Sequence, residues 1–286
     1  MNLRKPLVLL AALLTLTACI GPFESGNQGS VIPKEEPEGT RHIDFSGYRG
    51  SRATLPEDMF VSGVNSAGEP VGLDFTPFSG VHTYTGQTSN PADSFDGFGA
   101  FTSGTGDYSF GIREHGTTDL QDSRLYFAYR NETFHAIIGF RVQFSVEVWY
   151  LGQRDNRIRL KYNDSPSGYS RLATIVSVAN PLYGYVSPDG VALNGSSSEH
   201  RTTVTAEFYL ENLLDVEGTR AGIRTLRPGE IGYFRWQYSN GTIFEGDLRS
   251  GLAINDITVT PIYAHNTASR GMDETPVEEL VTGFHS

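Results

Sequence analysis

The chain has 286 residues, with 22 lysines and arginines against 33 aspartates and glutamates, for a formal net charge of −11 at pH 7. That balance argues against nucleic acid as a partner, because a phosphate backbone calls for a basic surface. The single cysteine excludes an intramolecular disulfide, and 12% aromatics with 32 glycines and three methionines favour strands and turns over helices.

Met1–Ala18 (residues 1–18) starts with Arg4 and Lys5, continues as an apolar run to Leu16 and ends in small residues. This is the pattern of a secretory signal, too short to span a membrane comfortably. Its end, Leu16-Thr17-Ala18-Cys19, resembles the bacterial lipobox. The resemblance implies cleavage before Cys19, acylation of Cys19 (palmitate among the chains) and a membrane anchor. By resemblance to enterobacterial sorting, Ile20 in place of aspartate implies the outer membrane, on its periplasmic or its cell-surface face. Residues 19–41 are rich in Gly, Pro, Ser and Glu without periodicity and read as a flexible tether.

The folded domain is expected over residues 42–263. Ile43, Phe45 and Tyr48 are anchors of a first strand, and the glycine-rich stretch Phe98–Arg113 is expected to hold short strands joined by tight turns. Arg124–Arg130 alternates, with Leu125, Phe127 and Tyr129 on one side. In Gly139–Asn163, Phe140, Val142, Phe144, Val146, Val148 and Tyr150 share one parity; Arg141, Gln143, Ser145, Glu147 and Trp149 share the other. That is a strand with one buried face. Ile158, Leu160 and Tyr162 then alternate with Arg157, Arg159 and Lys161 beyond a short polar turn, and an antiparallel hairpin is predicted. Arg201–Leu210, Ile231–Tyr238 and Gly251–Ile262 are further strands, with one helical turn expected within 211–222. Residues 264–286 are acidic and non-periodic and read as a mobile tail. No helical stretch of twelve residues follows the signal, so the fold class expected is all-β: one antiparallel β-sandwich of jelly-roll type.

Three motifs carry a family resemblance: Ile43-Asp44-Phe45-Ser46-Gly47 with Leu55-Pro56-Glu57; Tyr108-Ser109-Phe110-Gly111 followed by Asp122-Ser123-Arg124; and Phe234-Arg235-Trp236 with Gly251–Ile257. In their order and spacing they resemble the concanavalin-like or jelly-roll domains of secreted bacterial proteins, and the MAM and cleaved-adhesin domains. The resemblance implies a sandwich used for adhesion or glycan binding and brings no catalytic residues with it.

The chain contains no Gly-x-Ser-x-Gly, His-Glu-x-x-His, phosphate loop or dinucleotide fingerprint. Glu147, Trp149 and Arg141 are the candidate ligand-binding residues, since an aromatic ring beside polar groups on a sheet face suits a sugar. The competing expectation is that Trp149 packs under a loop, the commoner fate of tryptophan. A glycosidase would need a second carboxylate beside Glu147, and Glu207 is the one conceivable partner. Asp44, Asn255 and Asp256 are candidates for a calcium site if the first and last strands are neighbours. The functions to weigh are a non-catalytic glycan-binding or adhesion lipoprotein, an assembly lipoprotein binding an envelope protein, and a polysaccharide-cleaving enzyme.

Overall fold

The computed structural model describes residues 35–64, 78–84, 97–104, 106–114, 120–180, 182, 190–240 and 248–264. The signal, Cys19, residues 20–34 of the tether and all but the first residue of the tail lie outside the described residues. Regular structure is almost wholly strand: β1 (Arg41–Ile43), β2 (Met59–Val64), β3 (Phe78–Thr83), β4 (Gly97–Thr102), β5 (Tyr108–Arg113), β6 (Gln121–Arg130), β7 (Ile137–Leu151), β8 (Asn156–Asn163), β9 (Val176–Ala179), β10 (Val191–Ala192), β11 (Arg201–Tyr209), β12 (Ile231–Asn240) and β13 (Gly251–Tyr263). Short 3-10 turns are the helical elements among the described residues, one of them at Leu210–Asn212.

The strands form two sheets. The larger runs β10-β7-β13-β5-β4-β3, with β11 also on β7 and β1 also on β13; the smaller runs β2-β6-β12-β8-β9. Pairing is antiparallel except for β3 with β4. This is the all-β sandwich expected from the alternation.

The predicted hairpin is corrected. β7 and β8, consecutive in sequence, belong to opposite sheets. Both edges of β7 are taken, one by β13 and the other by β11 and β10, so no edge is left for β8. The turn between them is a corner that carries the chain across the core. Gln153 and Arg154 donate their backbone N–H groups to Leu248 O at 2.8 and 3.1 Å, and Gly152 donates to Ser250 Oγ at 3.1 Å. A Cβ on Gly152 would lie 2.5 Å from the Arg249 carbonyl carbon, so only glycine fits the corner.

The core is what the two inward parities make together. Phe140 of β7 meets Phe234 of β12 (5.0 Å, 82°), Tyr129 of β6 (5.2 Å, 74°) and Tyr162 of β8 (5.4 Å). Phe144 meets Trp236 edge-on at 6.0 Å. Phe140, Val142, Phe144, Val146, Val148, Ile158 and Leu160 are all fully buried, as the alternation predicts, and so are Phe234 and Trp236. Near-perpendicular ring pairs between facing sheets are the arrangement aromatic quadrupoles prefer.

Candidate binding face

The outward parity of β7 was expected to face water with Glu147 and Trp149 available to a ligand. That exposure is corrected: Glu147 is 1% and Trp149 4% exposed. Gly111 and Ala253, opposite one another on β5 and β13, leave a shallow floor. Phe101 of β4 lies over it and stacks on Trp149 with centroids 5.4 Å apart and planes 5° apart. The far face of the indole is closed by the segment after β10, where Leu193 N–H donates to Trp149 O and Gly195 lies against the ring. The packed-under-a-loop expectation for Trp149 is the one the structure bears out.

Beneath this cover is a polar cluster. Trp149 Nε1 donates to Glu147 Oε2 at 2.8 Å, Asn255 Nδ2 approaches Glu147 Oε1 at 3.4 Å, and Arg201 lies 3.7 Å away. Burial pushes the Glu147 carboxyl above the usual carboxylate range, against the opposing pull of Trp149, Ser109, Arg201 and Asn255. Arg141 lies six residues toward the other end of β7 and forks onto Glu207, its cross-strand neighbour, at 3.0 and 2.7 Å. Glu207 is therefore roughly 20 Å along the strand from Glu147, far outside the carboxylate separation of a glycosidase. Glu207, the one conceivable carboxylate partner for Glu147, is thus not beside it.

β1 does pair with β13, Arg41 opposite Val259. Each residue of the calcium candidate nevertheless has a protein partner. Asp44 accepts from the Ser46 hydroxyl and N–H at 2.5 and 2.9 Å, which hold it below its ordinary pKa. Asp256 pairs with Arg201, and Asn255 Nδ2 lies 3.4 Å from both Asp107 and Glu147. Among the described residues no group of three or more His, Cys, Asp or Glu is placed to hold a metal ion.

A second face lies on the other sheet, where Phe60 and the row beside it are partly open to solvent while Tyr126, Arg235 and Lys161 are buried under the Tyr169–Leu172 segment. Register puts Phe60, Tyr126, Arg235 and Lys161 in one outward row across β2, β6, β12 and β8. Ser62, Arg124, Gln237, Arg159 and Ser177 form the next, ending on β9. Phe60, 37% exposed, stacks on Tyr126 at 4.7 Å with planes 2° apart, and Tyr233 meets it edge-on at 6.4 Å. At the other end, the Tyr169 ring covers the Arg235 guanidinium at 4.2 Å and donates its hydroxyl to Tyr233 O at 2.9 Å. Lys161 Nζ donates to the carbonyls of Tyr169 and Leu172 at 3.2 and 2.5 Å.

Cations dominate this face. Arg124 is paired with Asp122 and Arg157 with Asp155. Among the described residues, no carboxylate pairs with Arg159, Lys161 or Arg235. Burial, then the charges of Arg235, Arg159 and Arg124, push Lys161 down to about 8. Arg157, Arg159 and Lys161 are the polar parity of β8, which alternation alone does not mark as a site. Their signal was the matching parity of Tyr233, Arg235 and Gln237 and of Arg124 and Tyr126; what was missing was that these strands are neighbours.

No protein-family model matches the sequence, and no curated protein matches it. Among solved structures the chain is similar to the K3 cleaved adhesin domain of Lys-gingipain from Porphyromonas gingivalis w83, at 12% identity over 77% of this chain and 98% of that one, with a TM-score of 0.40. It is similar also to the K2 cleaved adhesin domain of Lys-gingipain (14% identity, 77% and 97% covered, TM-score 0.37). A third is the carbohydrate-binding module TmCBM27, described for mannan recognition (11%, 78% and 96%, TM-score 0.31).

Proposed function

We propose that the chain is a bacterial outer-membrane lipoprotein, anchored through Cys19, that displays a non-catalytic β-sandwich for glycan binding or adhesion. The observation that carries the binding reading is the outward face of the smaller sheet. Phe60 offers an aromatic plate held rigid by Tyr126, and directly beside it lies a polar row of Ser62, Arg124, Gln237, Arg159 and Ser177. A sugar presents the same two chemistries, an apolar C–H face and a rim of hydroxyls. The anchor rests on the Leu16–Cys19 motif; palmitate labelling that persists in Cys19→Ala would overturn it.

A glycan array probed with the purified protein tests the binding reading. Retention on a defined glycan class is expected, with Phe60→Ala losing it at unchanged melting temperature. An array with no retention, or retention indifferent to Phe60, overturns the reading. The alternative is a structural lipoprotein that binds another envelope protein. Phe134, 91% exposed between β6 and β7, favours it, and cross-linking lost in Phe134→Ser would support it.

A further inference from the structure

We infer that the face beside Phe60 selects anionic polysaccharide, with carboxylate or sulfate groups taken by Arg159 and Arg124; this rests on the glycan-binding reading above. Three observations converge on it. First, a chain of net charge −11 gathers Arg124, Arg157, Arg159, Lys161 and Arg235 on one sheet face, with carboxylate partners only for Arg124 and Arg157 among the described residues. Like charges packed side by side disfavour the folded state unless an opposite charge is supplied. Second, the side chains of Arg124 and Arg159 are partly open to solvent, whereas Arg235 and Lys161 are buried beneath Tyr169 and Leu172 and act as fixed charges behind them. Third, the cations are spread and not focused. Arg124 and Arg159 flank Gln237 from the adjacent strands on either side, roughly 10 Å from each other. That spacing fits charges repeated along a polymer better than one small ion, and a small ion would have no use for the Phe60 plate. The carboxylates nearest the row, Asp122 and Asp155, are held by Arg124 and Arg157 and leave Arg159 free to meet the ligand.

The test pairs charged glycans with their uncharged forms on the intact purified protein: polygalacturonate against its methyl ester, and chondroitin sulfate against desulfated chondroitin, with single-stranded DNA alongside. The expected result is that at least one anionic form binds about tenfold or more tighter than its neutral partner, the scale of one charge-assisted hydrogen bond. That margin shrinks with added salt and is lost in Arg159→Gln, whose half-buried side chain is not part of the core. Equal binding of charged and neutral forms overturns the anionic selectivity and leaves the glycan reading standing. No binding of any glycan, here and on the array, overturns both. Tighter binding of DNA than of every glycan overturns the inference by assigning the face to another polyanion.

Discussion

Trp149 donates its indole N–H to Glu147, two residues earlier on the same strand and the same face, over 2.8 Å. Both side chains are closed in from outside by Phe101 and by the segment through Gly195. The hydrogen bond satisfies a buried donor and a buried carboxylate oxygen at once, and so lets a polar pair sit on a covered sheet face.

Gly195 is the lid of that arrangement. A Cβ there would meet the indole at 2.4 to 2.6 Å, and the ring has Phe101 stacked on its other side and nowhere to go. Gly195→Ala is therefore expected to destabilise the fold by about 1–3 kcal/mol, read in a denaturant titration. A variant as stable as the parent would mean that the segment is not packed as described.

Glu147→Ala leaves the Trp149 N–H without its acceptor and is expected to cost about 1–3 kcal/mol, with glycan binding unchanged because the cluster is covered. Glu147→Gln separates the charge from the hydrogen bond. The folded-state pKa of Glu147 is raised by burial, so its contribution is fully present below the ordinary glutamate range and is lost as pH rises through the raised value. The stability difference, parent minus Glu147→Gln, should then grow as pH falls from neutral toward 4.5, and a flat difference would argue against the burial.

Lys161 gives the opposite signature at alkaline pH. Its folded value is about 8 against 10.5 for an unperturbed lysine. Between these values the unfolded chain holds more protons, so this group makes stability rise with pH across that window and adds no slope below it. The expected rise is on the order of 2 kcal/mol. Lys161→Met should remove it, compared with the parent at each pH up to 10, so that the tyrosine titration common to both proteins cancels.

Phe140 joins the sheets, touching Tyr129, Tyr162 and Phe234 from one side of the sandwich and Phe208 from its own. Phe140→Ala is expected to cost about 3–5 kcal/mol in chemical denaturation. A loss below 1 kcal/mol would mean that the two sheets do not meet there.

Period-two alternation made much of this fold legible in advance. It identified Phe140, Phe144 and Leu160 as core, because one buried face per strand is what the pattern encodes. It could not say whether the strand after a turn lies beside its predecessor or across the core, since both choices bury the same side chains. β7 and β8 took the second course. The same blindness misplaced the candidate site. Polar parity marked Glu147 and Trp149 as outward, which they are, but a second layer made by Phe101 and the Gly195 segment covers them. The cations of β8 carried the same polar parity, and only strand order reveals that Arg124 and Arg235 join them. Alternation is local, whereas a face is assembled from residues more than a hundred positions apart.

The pairing of β1 with β13 has a practical consequence. Arg41 stands opposite Val259, and the Tyr263 hydroxyl donates to the Glu38 carbonyl. Entry to and exit from the sandwich thus share one corner. A unit built this way can be spliced as a cassette into a surface loop of an unrelated host, its two junctions close enough to leave the host backbone undisturbed.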